Sequence, residues 1–421
     1  MRRNRLASQF AWLSAGRLVG ALLQAATMLL LARDAGPHNF GLFSAVFGAA
    51  VVFQTAFDAG IATMVVKERA TDPASPYIGS SLHLTDRLAL AILIASALPL
   101  AFLGLFVDHL YLLMLPLSVW AASERHSDTW LSVTMADGEA RINTQTLLIK
   151  RTLVLLIYLG AVFVGVDAIL AFSAAMAGTA FVALVVVRKI VSSRVSFDLP
   201  RLGAREILTI SWPFWLNSLG TQARNLDAVV VSIVAGPLHA GFYAATSRAT
   251  GPLRILSTSL AAVLLPASTT AKRREIRRLL RLVAIVGVVS ATIFSSLILI
   301  VPAAVNLLLG AEYVGAVLPL QIALVGLPFA AMSSLLGSIL QGMNRQFFVA
   351  KTAVATTLLC LLFVGAGGAF AGATGAAIAL SISFLIQATI LGCCANLWLL
   401  RTRGKRSKEK YIQIQGKRIK N

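Results

Sequence analysis

Long apolar segments alternate with short polar ones along the whole chain. A helix needs about 20 apolar residues to cross the roughly 30 Å hydrocarbon layer of a bilayer. Twelve segments meet that length, at residues 8–32, 41–66, 87–107, 110–135, 145–166, 168–188, 208–234, 241–267, 281–307, 314–339, 346–366 and 373–399. The pattern predicts an all-α polytopic membrane protein of about 12 transmembrane helices, without room for a large soluble domain.

One turn-like motif occurs twice. The stretch "ARDAGPHNFGLFSA" at Ala32–Ala45 matches "SIVAGPLHAGFYAA" at Ser232–Ala245 at an offset of 200 residues, which also aligns Trp12 with Trp212. Tryptophan and proline are scarce in this chain, so the match indicates an internal duplication. We predict an N-terminal six-helix bundle at 1–200 and a C-terminal six-helix bundle at 201–400, followed by a basic tail at 401–421. Equal orientation of two bundles about an axis along the membrane normal would leave a central cavity.

Composition and charge agree with a membrane protein. Of 421 residues, 57% are hydrophobic and 13% charged, and the mean hydropathy is +0.81. The net charge of +20 comes from Lys and Arg that fall almost entirely on one side of the predicted helices, and Arg33 is the exception in an outer loop. Such asymmetry predicts that both termini are cytoplasmic. Loops of this kind face anionic membrane lipids, so no nucleic-acid partner is expected.

Cysteine and histidine do not suggest a metal site. Cys360, Cys393 and Cys394 lie in apolar segments, and the five histidines have no metal-ligand spacing. We therefore expect neither a metal nor a cofactor. The first apolar segment is too long for a cleaved signal peptide, so we expect it to be a retained helix.

Charged and polar residues inside the predicted helices are the candidate site. An embedded Arg costs roughly 2.5–3.5 kcal/mol if it faces lipid, so such residues should face water or one another. Helical spacing places several on shared faces of the first, seventh and eighth segments. The substrate-binding candidates are Arg17, Gln24, Asn217, Thr221, Arg224, Tyr243, Ser247, Arg248 and Arg254. Arg254 lies near the middle of its helix without an evident acidic partner on the seventh and eighth segments, and its planar guanidinium suits an anionic ligand such as phosphate.

A second set of embedded groups is titratable. The ion-coupling candidates are Asp58, Glu124, His126, Asp128 and Asp227. Structural pairing is the alternative, with Arg17 bound to Asp58 and Arg248 bound to Asp227. Glu124 could instead reach Arg254. The segment "ASERHSDTW" could also simply neutralise itself within the bundle.

Several motifs together resemble a known family. They are "GLFSA" and "FDAGI" in the second segment, "AGPLHAGFYAATSRATGPL", "LLLGAEYVGAVLPLQI", "GSILQGMNRQF" and "GATGAAIALSIS". Their order is similar to that of polysaccharide biosynthesis flippases in the multidrug/oligosaccharidyl-lipid/polysaccharide exporter superfamily. The resemblance implies two six-helix bundles and alternating access. It also implies a non-enzymatic role: movement of an undecaprenyl-pyrophosphate-linked oligosaccharide across the bacterial inner membrane, alongside other polysaccharide-assembly proteins. The cationic cavity residues of such proteins could correspond to Arg17, Arg224, Arg248 and Arg254.

Two other functions stay open. A cation-coupled multidrug exporter of the same fold should carry an embedded acid amid few arginines, whereas the first segment here carries Arg17 and no acid. A membrane-embedded polysaccharide polymerase or glycosyltransferase commonly needs sizeable outer loops, and the loops here are short.

Overall fold

The protein is helical throughout the part that the structure describes. The computed structural model describes residues 2–195, 197, 202–269, 271 and 273–418, with side chains except at 2–14, 140, 217, 221, 256, 266, 267, 273 and 398–418. The helices are α1 (Arg2–Asp58), α2 (Ile61–Thr71), α3 (Pro76–Phe106), α4 (Leu110–Leu113), α5 (Pro116–Ala136), α6 (Ala140–Phe163), α7 (Ala168–Ser192), α8 (Ala204–Gln222), α9 (Asp227–Ala235), α10 (Pro237–Thr269), α11 (Arg273–Leu309), α12 (Val317–Gly342) and α13 (Gln346–Arg418). Short 3₁₀ helices at Ala223–Leu226 and Ala311–Ala316 connect α8 to α9 and α11 to α12.

Two of these helices, α1 and α13, each contain a break in the helical backbone conformation although their hydrogen-bond pattern continues across it. In α1, Gly36 has the non-helical angles φ 73° and ψ 164°, and in α13 the break is at Ala371 and Gly372. Each break falls between two predicted transmembrane segments. With these breaks, the described helices follow the twelve predicted segments, and the all-α membrane fold is confirmed. Among the described residues, seven helical stretches are individually long and apolar enough to cross a membrane.

Several helices begin or end at residues other than those predicted. The second segment was predicted to run to residue 66, but α1 ends at Asp58 and α2 starts at Ile61, because Ala59 and Gly60 have positive φ. Pro116 starts α5 and separates it from the short α4, because proline is favoured in the first turn of a helix. At the other end of the chain, α13 continues to Arg418, past the predicted end at residue 399.

The duplicated motif forms the same turn in both halves of the chain. Gly36 has φ 73° and ψ 164°, and Gly236 has φ 86° and ψ 168°. These angles are accessible essentially only to glycine. The proline that follows each glycine begins the next helical arm, so the two arms start from equivalent turns.

Packing differs between the inside of the molecule and its rim. In the N-terminal half, Phe43, Phe47, Trp120 and Phe172 form a chain of ring contacts with centroids 4.8–5.8 Å apart. Large apolar side chains on α3, such as Phe102 at 60% exposure, point outward instead. Exposed apolar surface of this kind fits a lipid-facing rim, and the aromatic packing fits a core.

Candidate functional site

A break in the seventh predicted segment positions the first site residue. The 3₁₀ helix Ala223–Leu226 interrupts the path from α8 to α9, and Arg224 lies within it. A 3₁₀ stretch inside a longer helix often marks a functional position, because it changes the direction in which side chains project. Arg224 thereby reaches α13, where its Nη2 lies 3.8 Å from Cys360 Sγ.

Two arginines share one aromatic ring. The guanidinium carbon of Arg224 lies 4.2 Å from the ring centroid of Phe384 on α13, and that of Arg254 on α10 lies 5.1 Å from the same centroid. Phe384 itself is 3% exposed. The face of an aromatic ring attracts a cation, so this buried ring holds two positive groups from different helices close together.

The arginine pair separates two cavities. The inner cavity has a volume of about 450 Å³ and is lined by α10, α12 and α13. The outer cavity, of about 220 Å³, is lined by residues that include Asp227, Ser247 and Arg248. Arg224, Arg254 and Phe384 line both cavities. A ligand in either cavity would therefore meet the same two guanidinium groups.

One residue that lines the outer cavity also contacts the other half of the chain, although all the lining residues of both cavities belong to the C-terminal half. Arg248 on α10 lies over the ring of Phe47 on α1, with 5.3 Å between the guanidinium carbon and the ring centroid. Asp227, the acid of this cavity, accepts hydrogen bonds from Tyr243 Oη at 2.9 Å and from the backbone N–H of Ala228 at 2.7 Å. These donors orient the carboxylate of Asp227 and satisfy it without an ion pair.

The cavity arginines have little counter-charge. Within the described part of the chain, no carboxylate oxygen lies within 4.0 Å of the side-chain nitrogens of Arg224, Arg248 or Arg254. Three guanidinium groups and one carboxylate, Asp227, thus line the two cavities. Charges of one sign in a partly enclosed space attract a ligand of the opposite sign, since interactions there are screened less than in bulk water.

The substrate-binding candidates divide by location. The structure brings Arg224, Ser247, Arg248 and Arg254 together at the two cavities. The expectation for Tyr243 needs correction, because this side chain is 0% exposed and is used to bind Asp227. Arg17 and Gln24 lie on α1 before the break at Gly36, and neither lines either cavity. The side chains of Asn217 and Thr221 lie outside the described residues.

The titratable candidates of the N-terminal half form pairs between helices. Asp58 is bound to Arg125, and Glu124 Oε2 lies 2.9 Å from Lys150 Nζ. His126 Nε2 lies 3.0 Å from Asp86 Oδ1. Asp128, next to these residues on α5, is exposed. The segment is neutralised by α1, α3 and α6 rather than by itself.

The predicted pairings were therefore wrong. Asp58 pairs with Arg125 instead of Arg17, because α5 presents Arg125 to the end of α1. Glu124 pairs with Lys150 and does not reach Arg254. Asp227 takes a tyrosine hydroxyl in place of Arg248. Each prediction matched charges by depth alone, and depth does not say which faces of the helices meet.

Two groups of residues escaped the sequence analysis. Lys150 was not among the embedded charges considered, but α6 starts at Ala140, before the predicted residue 145, and Lys150 is buried, with 7% exposure. The embedded Glu124 could have indicated Lys150, because a buried carboxylate needs a cation at its own depth. The neutral residues Ser334, Ser338, Gln341 and Gln387 of the inner cavity were also missed. Three of them are spaced along one face of α12, and Gln387 lies three residues after Phe384 on α13; this spacing could have indicated a shared polar surface.

Comparisons with known proteins agree on family and fold. The family model described as "Polysaccharide biosynthesis protein" matches residues 6–272. A search of curated proteins gives no match. Three solved structures share the fold, each at 14% identity. An inward-facing multidrug resistance MATE family transporter of the MOP superfamily gives a TM-score of 0.72, covering 91% of this chain and 96% of that chain. The lipid II flippase MurJ, in an inward closed conformation, gives 0.73, covering 90% and 86%.

The third structure is a MOP superfamily transporter from Pyrococcus furiosus with a binding pocket of reversed polarity. It gives a TM-score of 0.62 and covers 93% of this chain and 95% of that chain. These likenesses extend over nearly the whole of each protein, so the complete fold is shared. The family match spans more than half of the sequence, and the chain belongs to the polysaccharide biosynthesis protein family.

Proposed function

We propose that this protein is a flippase that moves an undecaprenyl-pyrophosphate-linked oligosaccharide from the cytoplasmic to the outer leaflet of a bacterial inner membrane, with both of its termini in the cytoplasm. The observation that carries the proposal is the pair of guanidinium groups on the Phe384 ring, without a carboxylate within 4.0 Å among the described residues. Such a pair suits a pyrophosphate, because each guanidinium can donate two parallel hydrogen bonds to phosphate oxygens. The family match supports a role in polysaccharide biosynthesis.

The physical task follows from the substrate. A charged, sugar-bearing headgroup cannot cross the hydrocarbon layer unaided, whereas the polyprenyl tail already dissolves there. The protein needs to shelter only the headgroup. Cavities on both sides of the arginine pair offer a path in which the pyrophosphate keeps contact with Arg224 and Arg254 while access changes from one face of the membrane to the other.

Multidrug export is the competing function, because a MATE family transporter shares the fold. A drug cation entering the outer cavity would meet three arginines and one carboxylate. This charge balance opposes a cation and favours an anion. A polymerase or glycosyltransferase function has no specific support in the described site.

Deletion of the gene tests the proposal. We expect undecaprenyl-linked oligosaccharide to accumulate on the cytoplasmic leaflet, measured by mass spectrometry of extracted lipids and by protection of the glycan from added glycosidase in intact spheroplasts. A wild-type copy should remove the accumulation, whereas a copy with Arg224→Gln and Arg254→Gln should not, at equal amounts of protein in the membrane. Unchanged lipid pools together with increased sensitivity to cationic dyes would contradict the proposal and favour drug export.

A further inference from the structure

The inner cavity contains neutral hydrogen-bonding groups beside its two arginines. Seven residues on α10, α12 and α13 carry hydroxyl or carboxamide side chains: Ser257, Thr258, Ser333, Ser334, Ser338, Gln341 and Gln387. The charged side chains of the lining are Arg224 and Arg254, and no carboxylate lines this cavity within the part of the chain that the structure describes. The lining therefore combines a cationic end with a neutral polar wall.

Helix geometry places the polar wall on one side of the arginine pair. On α10, Ser257 follows Arg254 by three residues, and on α13, Gln387 follows Phe384 by three residues. Three residues correspond to about 4.5 Å along a helix axis. On α12, which crosses the membrane in the same predicted direction, Ser334, Ser338 and Gln341 are spaced by four and three residues and share a face. All of these side chains lie toward the predicted cytoplasmic ends of their helices.

Five of the wall residues keep their hydrogen-bonding groups available. Thr258 and Ser333 donate to carbonyls of their own helices, at 2.9 Å and 3.0 Å. The described residues provide no hydrogen-bond partner for the side chains of Ser257, Ser334, Ser338, Gln341 or Gln387. A carboxamide both donates and accepts, as do the hydroxyl and acetamido groups of a sugar.

We propose that this wall binds the sugars next to the pyrophosphate, and that these sugars are uncharged and carry hydroxyl or acetamido groups. The inference rests on the proposed function, in which Arg224 and Arg254 hold the pyrophosphate. An acidic sugar would find no further cation on the wall, and a cationic amino sugar would find no carboxylate. A polyprenyl tail would leave the glutamines without partners, which costs affinity. The volume of about 450 Å³ lies within the roughly 300–1,000 Å³ usual for ligand pockets.

A pair of probes that differ only in the sugar tests the inference. The probes are farnesyl diphosphate and farnesyl-diphosphate-linked N-acetylglucosamine, titrated against the purified full chain in lipid nanodiscs. Wild-type protein should bind the sugar-bearing probe more tightly. Gln341→Leu and Gln387→Leu should each weaken binding of that probe about three- to tenfold, the range expected for one lost hydrogen bond, and leave the sugar-free probe unaffected. Gln145→Leu, at an exposed position on α6, is the matched control and should change neither affinity.

The outcomes separate this inference from the proposed function. Equal affinity of wild-type protein for the two probes, or an equal loss for both in the glutamine variants, would overturn the sugar subsite and leave the pyrophosphate site standing. Failure of both probes to bind, or unchanged binding of both after Arg254→Gln, would overturn the proposed function itself. If a leucine variant does not fold, Gln387→Asn and Ser338→Ala replace it. The first keeps the carboxamide but withdraws it from the cavity, and the second removes a single hydroxyl, so both should selectively weaken the sugar-bearing probe.

Discussion

Gly41 and Gly241 pack against each other's helices at the point where α1 and α10 cross. A Cβ atom on Gly41 would overlap the backbone carbonyl of Pro237, and a Cβ atom on Gly241 would overlap that of Pro37. The two contacts are reciprocal, and the residues are equivalent in the duplication. The repeat therefore also forms a contact between the two halves of the chain, close to both predicted outer turns.

The close approach predicts that Gly41→Ala destabilises the protein. The added methyl group would meet backbone atoms, which cannot rotate away as a side chain can. We expect a loss of about 1–3 kcal/mol, the usual cost of overpacking, measured as a lower melting temperature in detergent. Gly251→Ala is the control on α10, because a Cβ atom there has nothing within 4 Å. Equal melting temperatures for the two variants would show that the helices do not cross as closely as described.

Backbone conformation predicts a different effect at the outer turn. A Cβ atom on Gly236 has open space around it, so steric contact gives no reason against a larger residue. Its φ of 86° and ψ of 168° are nevertheless nearly inaccessible to other residues. We expect Gly236→Ala to cost of order 1–3 kcal/mol in stability through backbone strain alone.

Two further variants distinguish strain from other causes. Gly236→Asn should be no better than Gly236→Ala, because asparagine tolerates the left-handed helical region but not this extended one. Gly178→Ala lies in the regular helix α7 with open space at its Cβ position, and it should be neutral or slightly stabilising. Equal changes in melting temperature for Gly236→Ala and Gly178→Ala would contradict the prediction of backbone strain at residue 236.

The ion pair between Asp58 and Arg125 predicts strong coupling between these residues. The Asp58 side chain is 2% exposed, so Asp58→Asn would leave a largely buried guanidinium without its counter-ion. Breaking a buried pair costs about 3–5 kcal/mol. We expect the double variant with Arg125→Gln to recover part of that loss, as measured by a double-mutant cycle of melting temperatures.

A second ion pair offers a comparison for this cycle. Arg69 and Asp137, 2.9 Å apart, lie outside the membrane-spanning segments, and the Asp137 carboxylate is 24% exposed to solvent, against 2% for Asp58. Removing one partner there should cost at most about 1 kcal/mol. Similar coupling energies for the two pairs would mean that Asp58 is reached by water and does not depend on Arg125.

The sequence predicted the scaffold of this protein better than its contacts. Apolar length and the repeated Ala-Gly-Pro motif were sufficient for the helices and for the turns at Gly36 and Gly236, because both depend on local sequence. Arg224 and Arg254 were found as candidates because embedded charge is costly wherever it lies. Their shared contact with Phe384 was not predictable, since a phenylalanine in an apolar helix looks the same whether it faces lipid or a cation.

The partners of the embedded charges were missed for a related reason. Sequence gives the depth of Asp58 and Glu124 in the membrane, but the rotation of each helix decides which cation they meet. Because α6 starts at Ala140 and not at the predicted residue 145, Lys150 lies deeper in the helix than the prediction implied. Neutral residues such as Gln387 carry no energetic signal comparable to that of an arginine, so their role emerged only from the cavity that they line.

The Phe384 ring predicts a role for an apolar residue in recognition of an anion. Because one ring orients both Arg224 and Arg254, Phe384→Leu should disturb both guanidinium groups while keeping the site apolar. Each cation–π contact contributes about 0.5–2 kcal/mol. Under the proposed flippase function, we therefore expect transport to fall roughly tenfold, whereas Phe384→Tyr, which keeps a ring, should stay within about threefold of wild type. Accumulated lipid-linked oligosaccharide, normalised to the protein in the membrane, measures the effect. Phe102→Leu on the outward-facing side of α3 should change nothing. If leucine and tyrosine at position 384 export equally well, the arginines are positioned by other contacts.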